Sequence, residues 1–88
     1  MKLSIIIPVF NEYETICELI RRVDAVQLDK EIIIVDDGST DGSRDLLNKY
    51  EGRDGFKVVY QSKNMGKGRS LRTGFEKAEG EIIIIQDA

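Results

Sequence analysis

Two adjacent carboxylates, Asp36 and Asp37, directly follow the apolar run EIIIV and directly precede glycine, serine and threonine in the stretch VDDGSTDGS. A third, Asp87, follows a second isoleucine run, EIIIIQ, and Lys67 lies in the glycine-rich segment NMGKGRS. Apolar runs of this length read as parallel strands buried on both faces, and such strands carry their working residues just beyond their carboxyl ends. Carboxylates at that edge accept hydrogen bonds or help hold a divalent ion, and a lysine beside them offsets anionic charge.

The elements that must position these residues follow in regular order. Leu3 to Val9 reads as a buried strand with Pro8 near its end, where a missing amide donor costs least. Asn11 can cap a helix from Glu12 to about Val26, in which Ile16, Leu19, Ile20, Val23 and Val26 recur at helical spacing. Glu31 to Val35 is a second strand, Asp36 to Thr40 a loop, and Asp41 the expected cap of a short helix carrying Leu46, Leu47 and Tyr50. After the break at Gly52 to Gly55, Phe56 to Tyr60 forms a third strand. Asn64 to Gly68 turns into a helix with Leu71, Phe75 and Ala78 on one face, and Gly80 is placed to end it. Glu81 to Gln86 is the fourth strand. The order βαβαβαβ predicts an α/β fold with a parallel sheet flanked by helices.

The chain of 88 residues allows one domain at most, with a thin core. Its 13 basic and 16 acidic residues give a net charge of -3 without a block of like charge, which argues against non-specific nucleic-acid binding. The apolar runs fall far short of the roughly 20 residues of a membrane span, so no transmembrane segment is expected. The N-terminus lacks the features of a secretory signal. Cys17, the single cysteine, offers no internal disulfide and favours a reducing, cytoplasmic setting.

Two familiar phosphate motifs are absent. NMGKGRS lacks the spacing of a Walker A loop, and IIIPVFNE stands where a dinucleotide fold would place GxGxxG. A receiver domain also sets acids at strand ends, where they bind magnesium, but that reading leaves IIIPVFNE and NMGKGRS without a role. A sugar nucleotide employs both. Asp36 would accept hydrogen bonds from the base, Lys67 and Arg69 would offset the diphosphate, and Asp87 would help hold a divalent ion.

PVFNE at Pro8 to Glu12, DDGSTDGS at Asp36 to Ser43, NMGKGRS at Asn64 to Ser70 and QDA at Gln86 to Ala88 together resemble the start of a family 2 glycosyltransferase. The NxGKGxxxxxG pattern, met by Asn64, Gly66, Lys67, Gly68 and Gly74, is similar to that of dolichyl-phosphate mannosyltransferases and related polyprenyl-phosphate glycosyltransferases. The resemblance covers the whole chain and implies the N-terminal, nucleotide-binding half of a GT-A (Rossmann-like) fold. It implies that Pro8, Val9, Phe10 and Glu12 lie near base and ribose, that Asp36 meets the base, and that Asp37 lies beside the pocket. It further implies that Asp87 is the first acid of an aspartate-any-aspartate motif for magnesium or manganese. The implied reaction is inverting transfer of a hexose from GDP-mannose or UDP-glucose to a polyprenyl phosphate at the cytoplasmic face of a membrane.

A strand of four isoleucines expects cover on both faces and neighbours on both sides. Residues 1–88 are therefore expected to be a truncated nucleotide-sugar-binding part of a longer transferase, inactive by itself, with a sheet edge open to self-association. The alternatives are a family 2 transferase with a saccharide hydroxyl as acceptor, a regulatory nucleotide-binding or receiver-like module, and an inert structural fragment.

Overall fold

The computed structural model describes all residues from Met1 to Ala88. Four strands, β1 (Leu3–Val9), β2 (Lys30–Asp36), β3 (Phe56–Tyr60) and β4 (Ile82–Ile85), form one sheet in the order β3-β2-β1-β4. Every adjacent pair is parallel, as the alternation of strands and helices predicts. The helices are α1 (Ile16–Ala25), α2 (Ser43–Leu47), which runs into a 3-10 turn over Asn48–Tyr50, and α3 (Lys67–Lys77).

Strand parity divides the core. Ile5, Ile7 and Val9 of β1 and Ile32 and Ile34 of β2 pack with Ile16, Ile20, Leu47 and Tyr50 on the face covered by α1 and α2. Ile6, Ile33 and Val35 face the other way, with Leu71 and Ala78 against them. Gly74 brings α3 close to the sheet: a Cβ there would lie 2.6 Å from a methyl of Ile6. The central strands β1 and β2 thus carry most of the burial, at about 2 kcal/mol for each fully buried isoleucine.

The open edge expected at β4 is present, whereas the helix ends differ from expectation. Ile82, Ile83, Ile84 and Ile85 remain 41–43% exposed, because β4 is an edge strand paired only with β1. Helix α1 starts at Ile16 rather than Glu12, and Asn11 does not cap it. The Asn11 carboxamide oxygen instead accepts the Thr40 N–H at 2.8 Å, tying the loop after β1 to the loop after β2. Helix α2 has Gly42 at its N-cap; Asp41 lies one residue earlier and accepts the Ser43 N–H at 3.0 Å. Helix α3 gives way to extended backbone at Ala78, before Gly80, whose importance lies in close packing instead.

Candidate functional site: three loops at the carboxyl edge of the sheet

The carboxyl ends of β1 and β2, the turn into α3 and the residues after β4 meet around one cavity of about 420 Å³. Of the residues singled out in the sequence, Pro8, Val9, Phe10, Glu12, Asp37, Lys67 and Asp87 line it. Asn64, Gly66, Ser70 and Ala88 complete the wall. Arg69 and Asp36 do not contribute to it.

The two adjacent aspartates work on opposite faces, as a period of two along an extended chain requires. Asp37 turns toward α3 and is nearly fully buried. Its Oδ1 accepts Gln61 Nε2–H and the Met65 N–H, each at 2.7 Å, and its Oδ2 accepts the Gly66 N–H at 3.0 Å. Gln61 also reaches Ser70 Oγ at 3.1 Å and takes a hydrogen bond from Thr73 Oγ1 at 3.2 Å. Asp37 therefore shapes the glycine-rich turn from within, a structural duty that its place in the motif did not reveal.

Asp36 turns toward α2 and is fully buried. Its Oδ2 accepts the Ser39 N–H at 3.0 Å and faces Arg44 Nε at 3.5 Å, while Oδ1 has no hydrogen-bond partner. The Arg44 guanidinium lies 5.0 Å from the centroid of the Tyr60 ring, a cation–π distance. A buried carboxylate oxygen without a donor is costly, and it marks Asp36 as an acceptor with capacity to spare.

The loops that bear these acids are in direct contact. Gly38 has φ +77°, and a Cβ added to it would lie 2.5 Å from the backbone carbon of Lys63. Only glycine meets both demands, so the DDGST loop and the turn before α3 close against each other. Ser39 Oγ accepts the Asn11 N–H at 2.9 Å and Ser43 Oγ accepts the Glu12 N–H at 3.1 Å, which fastens the PVFNE loop to the same assembly.

At the cavity mouth Lys67 forms an ion pair with Asp87, both side chains being largely exposed. Helix α3 opens beside them with Gly66 at its N-cap and no side-chain cap, which leaves first-turn N–H donors for an anion. No group of three or more acidic, histidine or cysteine side chains gathers to hold a metal. Asp87 alone fits the pattern of an ion held by one or two carboxylates together with substrate phosphate oxygens and water.

A parallel sheet with loops converging at its carboxyl edge is the nucleotide-binding arrangement of α/β proteins, and comparison with known proteins defines the class. The chain superposes on the crystal structure of S. aureus TarS 1-349 in complex with UDP with a TM-score of 0.88 and 31% identity, over 99% of this chain and 27% of the other. The mannosyltransferase PcManGT from Pyrobaculum calidifontis, in complex with GDP-Man and Mn2+, gives a TM-score of 0.84 at 27% identity, over 97% and 26%. The fold is that of the GT-A glycosyltransferases. Residues 4–88 match the family model Glycosyl transferase family 2, and the chain belongs to that family.

Among curated relatives, the undecaprenyl-phosphate 4-deoxy-4-formamido-L-arabinose transferase of Pseudomonas syringae pv. syringae (strain B728a) is 42% identical over 91 residues, 97% of this chain and 27% of its own length. The cholesterol galactosyltransferase of Borreliella burgdorferi is 41% identical over 87 residues, 98% of this chain and 24% of its own length. The chain spans about a quarter of the length of these relatives.

Proposed function

We propose that this chain forms the donor-binding part of an inverting glycosyltransferase that moves a hexose from a nucleoside diphosphate to a polyprenyl phosphate. The observation that carries this reading is the convergence of PVFNE, DDGST, NMGKG and Asp87 on one cavity, with a cation, a carboxylate and an uncapped helix start at its mouth. The volume falls within the range of small-molecule sites. The acceptor class follows the undecaprenyl-phosphate transferases among the relatives.

In this reading Pro8, Val9, Phe10 and Glu12 form the wall for base and ribose. Asp36, buried outside the cavity, offers its unpaired Oδ1 to an N–H of the base once the DDGST loop opens, and Asp37 holds the glycine-rich turn in place. Lys67 exchanges its contact with Asp87 for one with the diphosphate, and Asp87 is then released toward a magnesium or manganese ion. That ion, when bound, supplies positive charge for the departing nucleoside diphosphate. A lipid phosphate oxygen is already anionic at neutral pH and needs little help from a general base, so a site without histidine is adequate. No helix is long and apolar enough to cross a membrane; action at the cytoplasmic face of one fits a lipid acceptor.

Calorimetric titration with GDP, UDP, GDP-mannose and UDP-glucose, with and without manganese, tests the reading. We expect binding selective for one base, tightened several-fold by manganese and weakened at least tenfold in Asp36→Asn. A folded chain that binds none of the four at millimolar concentration would refute it.

A further inference from the structure

At the opposite end of the sheet from the cavity lies a second polar cluster. Glu31, at the start of β2, is only 3% exposed. Its Oε2 accepts Ser4 Oγ–H at 2.5 Å and the Glu79 N–H at 2.6 Å, and its Oε1 pairs with Lys57 Nζ at 2.9 Å. Lys57 also donates to the Lys77 carbonyl and to Glu79 Oε1, each at 2.8 Å, while Ser4 Oγ accepts the Gly80 N–H at 2.8 Å. One residue from each of β1, β2 and β3 thus grips the connection between α3 and β4.

This grip leaves no room for adjustment. A Cβ on Gly80 would lie 2.6 Å from Ser4 Oγ and 2.8 Å from the Lys2 carbonyl oxygen. Strand β4 needs such an anchor, since it has four residues, one neighbour and four half-exposed isoleucines. Four similar isoleucines also do little to specify register. A slip of one residue against β1 would move Asp87 by about 3.3 Å and turn it to the other face of the sheet.

We propose that Glu31, with Ser4 and Lys57, is a positioning residue for Asp87: by holding Glu79 and Gly80 it sets the register of β4, which delivers Asp87 to the cavity opposite Lys67. The structural half of the proposal stands on the hydrogen bonds alone. Its functional half rests on the donor-site reading.

The test compares the wild-type chain with Glu31→Gln and Gly80→Ala, which disturb the anchor from its two sides. Amide hydrogen exchange reads how firmly the anchor holds β4 against β1. Protection of the β4 amides is expected to fall at least tenfold relative to that of Ile33 and Ile34 in both variants, whereas a loss only in step with the central strands would overturn the proposal. Nucleotide titration with and without manganese reads the consequence: the metal enhancement is expected to disappear in the variants while metal-free affinity stays within about twofold. Retention of the full enhancement by a folded variant would equally overturn it. If the wild-type chain binds no nucleotide, the donor-site reading fails, and the exchange measurement still decides for or against the anchor.

Discussion

Asp37→Asn is the most exacting perturbation of the site, because it keeps the shape and alters only charge and hydrogen bonding. Every partner of Asp37 is a donor: Gln61 Nε2–H and the Met65 N–H at one oxygen, the Gly66 N–H at the other. Whichever way the new carboxamide turns, its NH2 meets at least one of them donor to donor. Hydrogen bonds to a charged group are worth about 1.5–3 kcal/mol each, and a buried donor left unpaired costs about 1–3 kcal/mol. With one bond lost outright and the others weakened, a loss of about 2–3 kcal/mol is expected, against a total of about 4–13 kcal/mol for a chain of this length. With a urea m-value of about 1 kcal/mol/M for so small a domain, the midpoint falls by roughly 2–3 M at unchanged slope. Urea unfolding followed by circular dichroism measures this. A midpoint within about 0.5 M of the wild type would show that the three hydrogen bonds do not organise the glycine-rich turn, and would refute the reasoning.

Two further outcomes are expected. Gly38→Ala sets a side chain against the Lys63 backbone at φ +77°, so it should lower the melting temperature by about 10 °C for a cost of about 2 kcal/mol; an unchanged thermal scan would mean that the two loops part without cost. Stability should also depend on Glu31 at acid pH. Burial raises the pKa of its carboxyl, but hydrogen bonds from Ser4 and the Glu79 N–H and the charge of Lys57 outweigh it, bringing it from 4.5 down to about 2. Because the folded value is the lower one, the contribution is complete above about pH 4.5 and is lost as pH falls toward 2, amounting to about 3 kcal/mol. The difference in unfolding free energy between wild type and Glu31→Gln should therefore shrink across that window, and a difference independent of pH between 5 and 2 would count against the ion pair.

Much of this was legible in the residues. The isoleucine runs, the turn residues and the four motifs were enough to predict a parallel α/β sheet with Asp36, Asp37 and Asp87 at its carboxyl edge, and the motifs resembled the family to which the chain belongs. Less visible was the division of labour between Asp36 and Asp37. The signal was present, since Asp36 shares parity with the core residues Ile32 and Ile34 and Asp37 with Ile33 and Val35, but parity acquires meaning only when the helix on each face is known. The helix start was misjudged because Asn11 bonds to the next loop and the Glu12 N–H is taken by Ser43 Oγ, so that Glu12 meets α1 only through its carbonyl and carboxylate, at Thr15 and Ile16. The exposure of β4 was legible, since four isoleucines need cover on both faces and a neighbour on each side, and the strand has β1 alone. Glu31 and Lys57 went unremarked. A lysine inside the otherwise apolar strand FKVVY was the available hint, because a cation on a strand face covered by a helix requires a buried acid within reach.

The exposed fourth strand gives the site an uneven mechanical character. The loops that line the cavity are built on β1 and β2, the central and most buried strands, while Asp87 rides on an element with one neighbour and partial cover. Such an element samples undocked states at a free energy below that of global unfolding. The cavity then exists in two populations, one with its acid in place and one without it. A ligand that needs Asp87 is bound with an affinity reduced by the docked fraction, whereas a ligand that needs only the base pocket is not. For the donor site proposed above, metal dependence would then measure how often β4 is docked, and any partner or further chain that covers its free edge would strengthen donor binding without touching the donor.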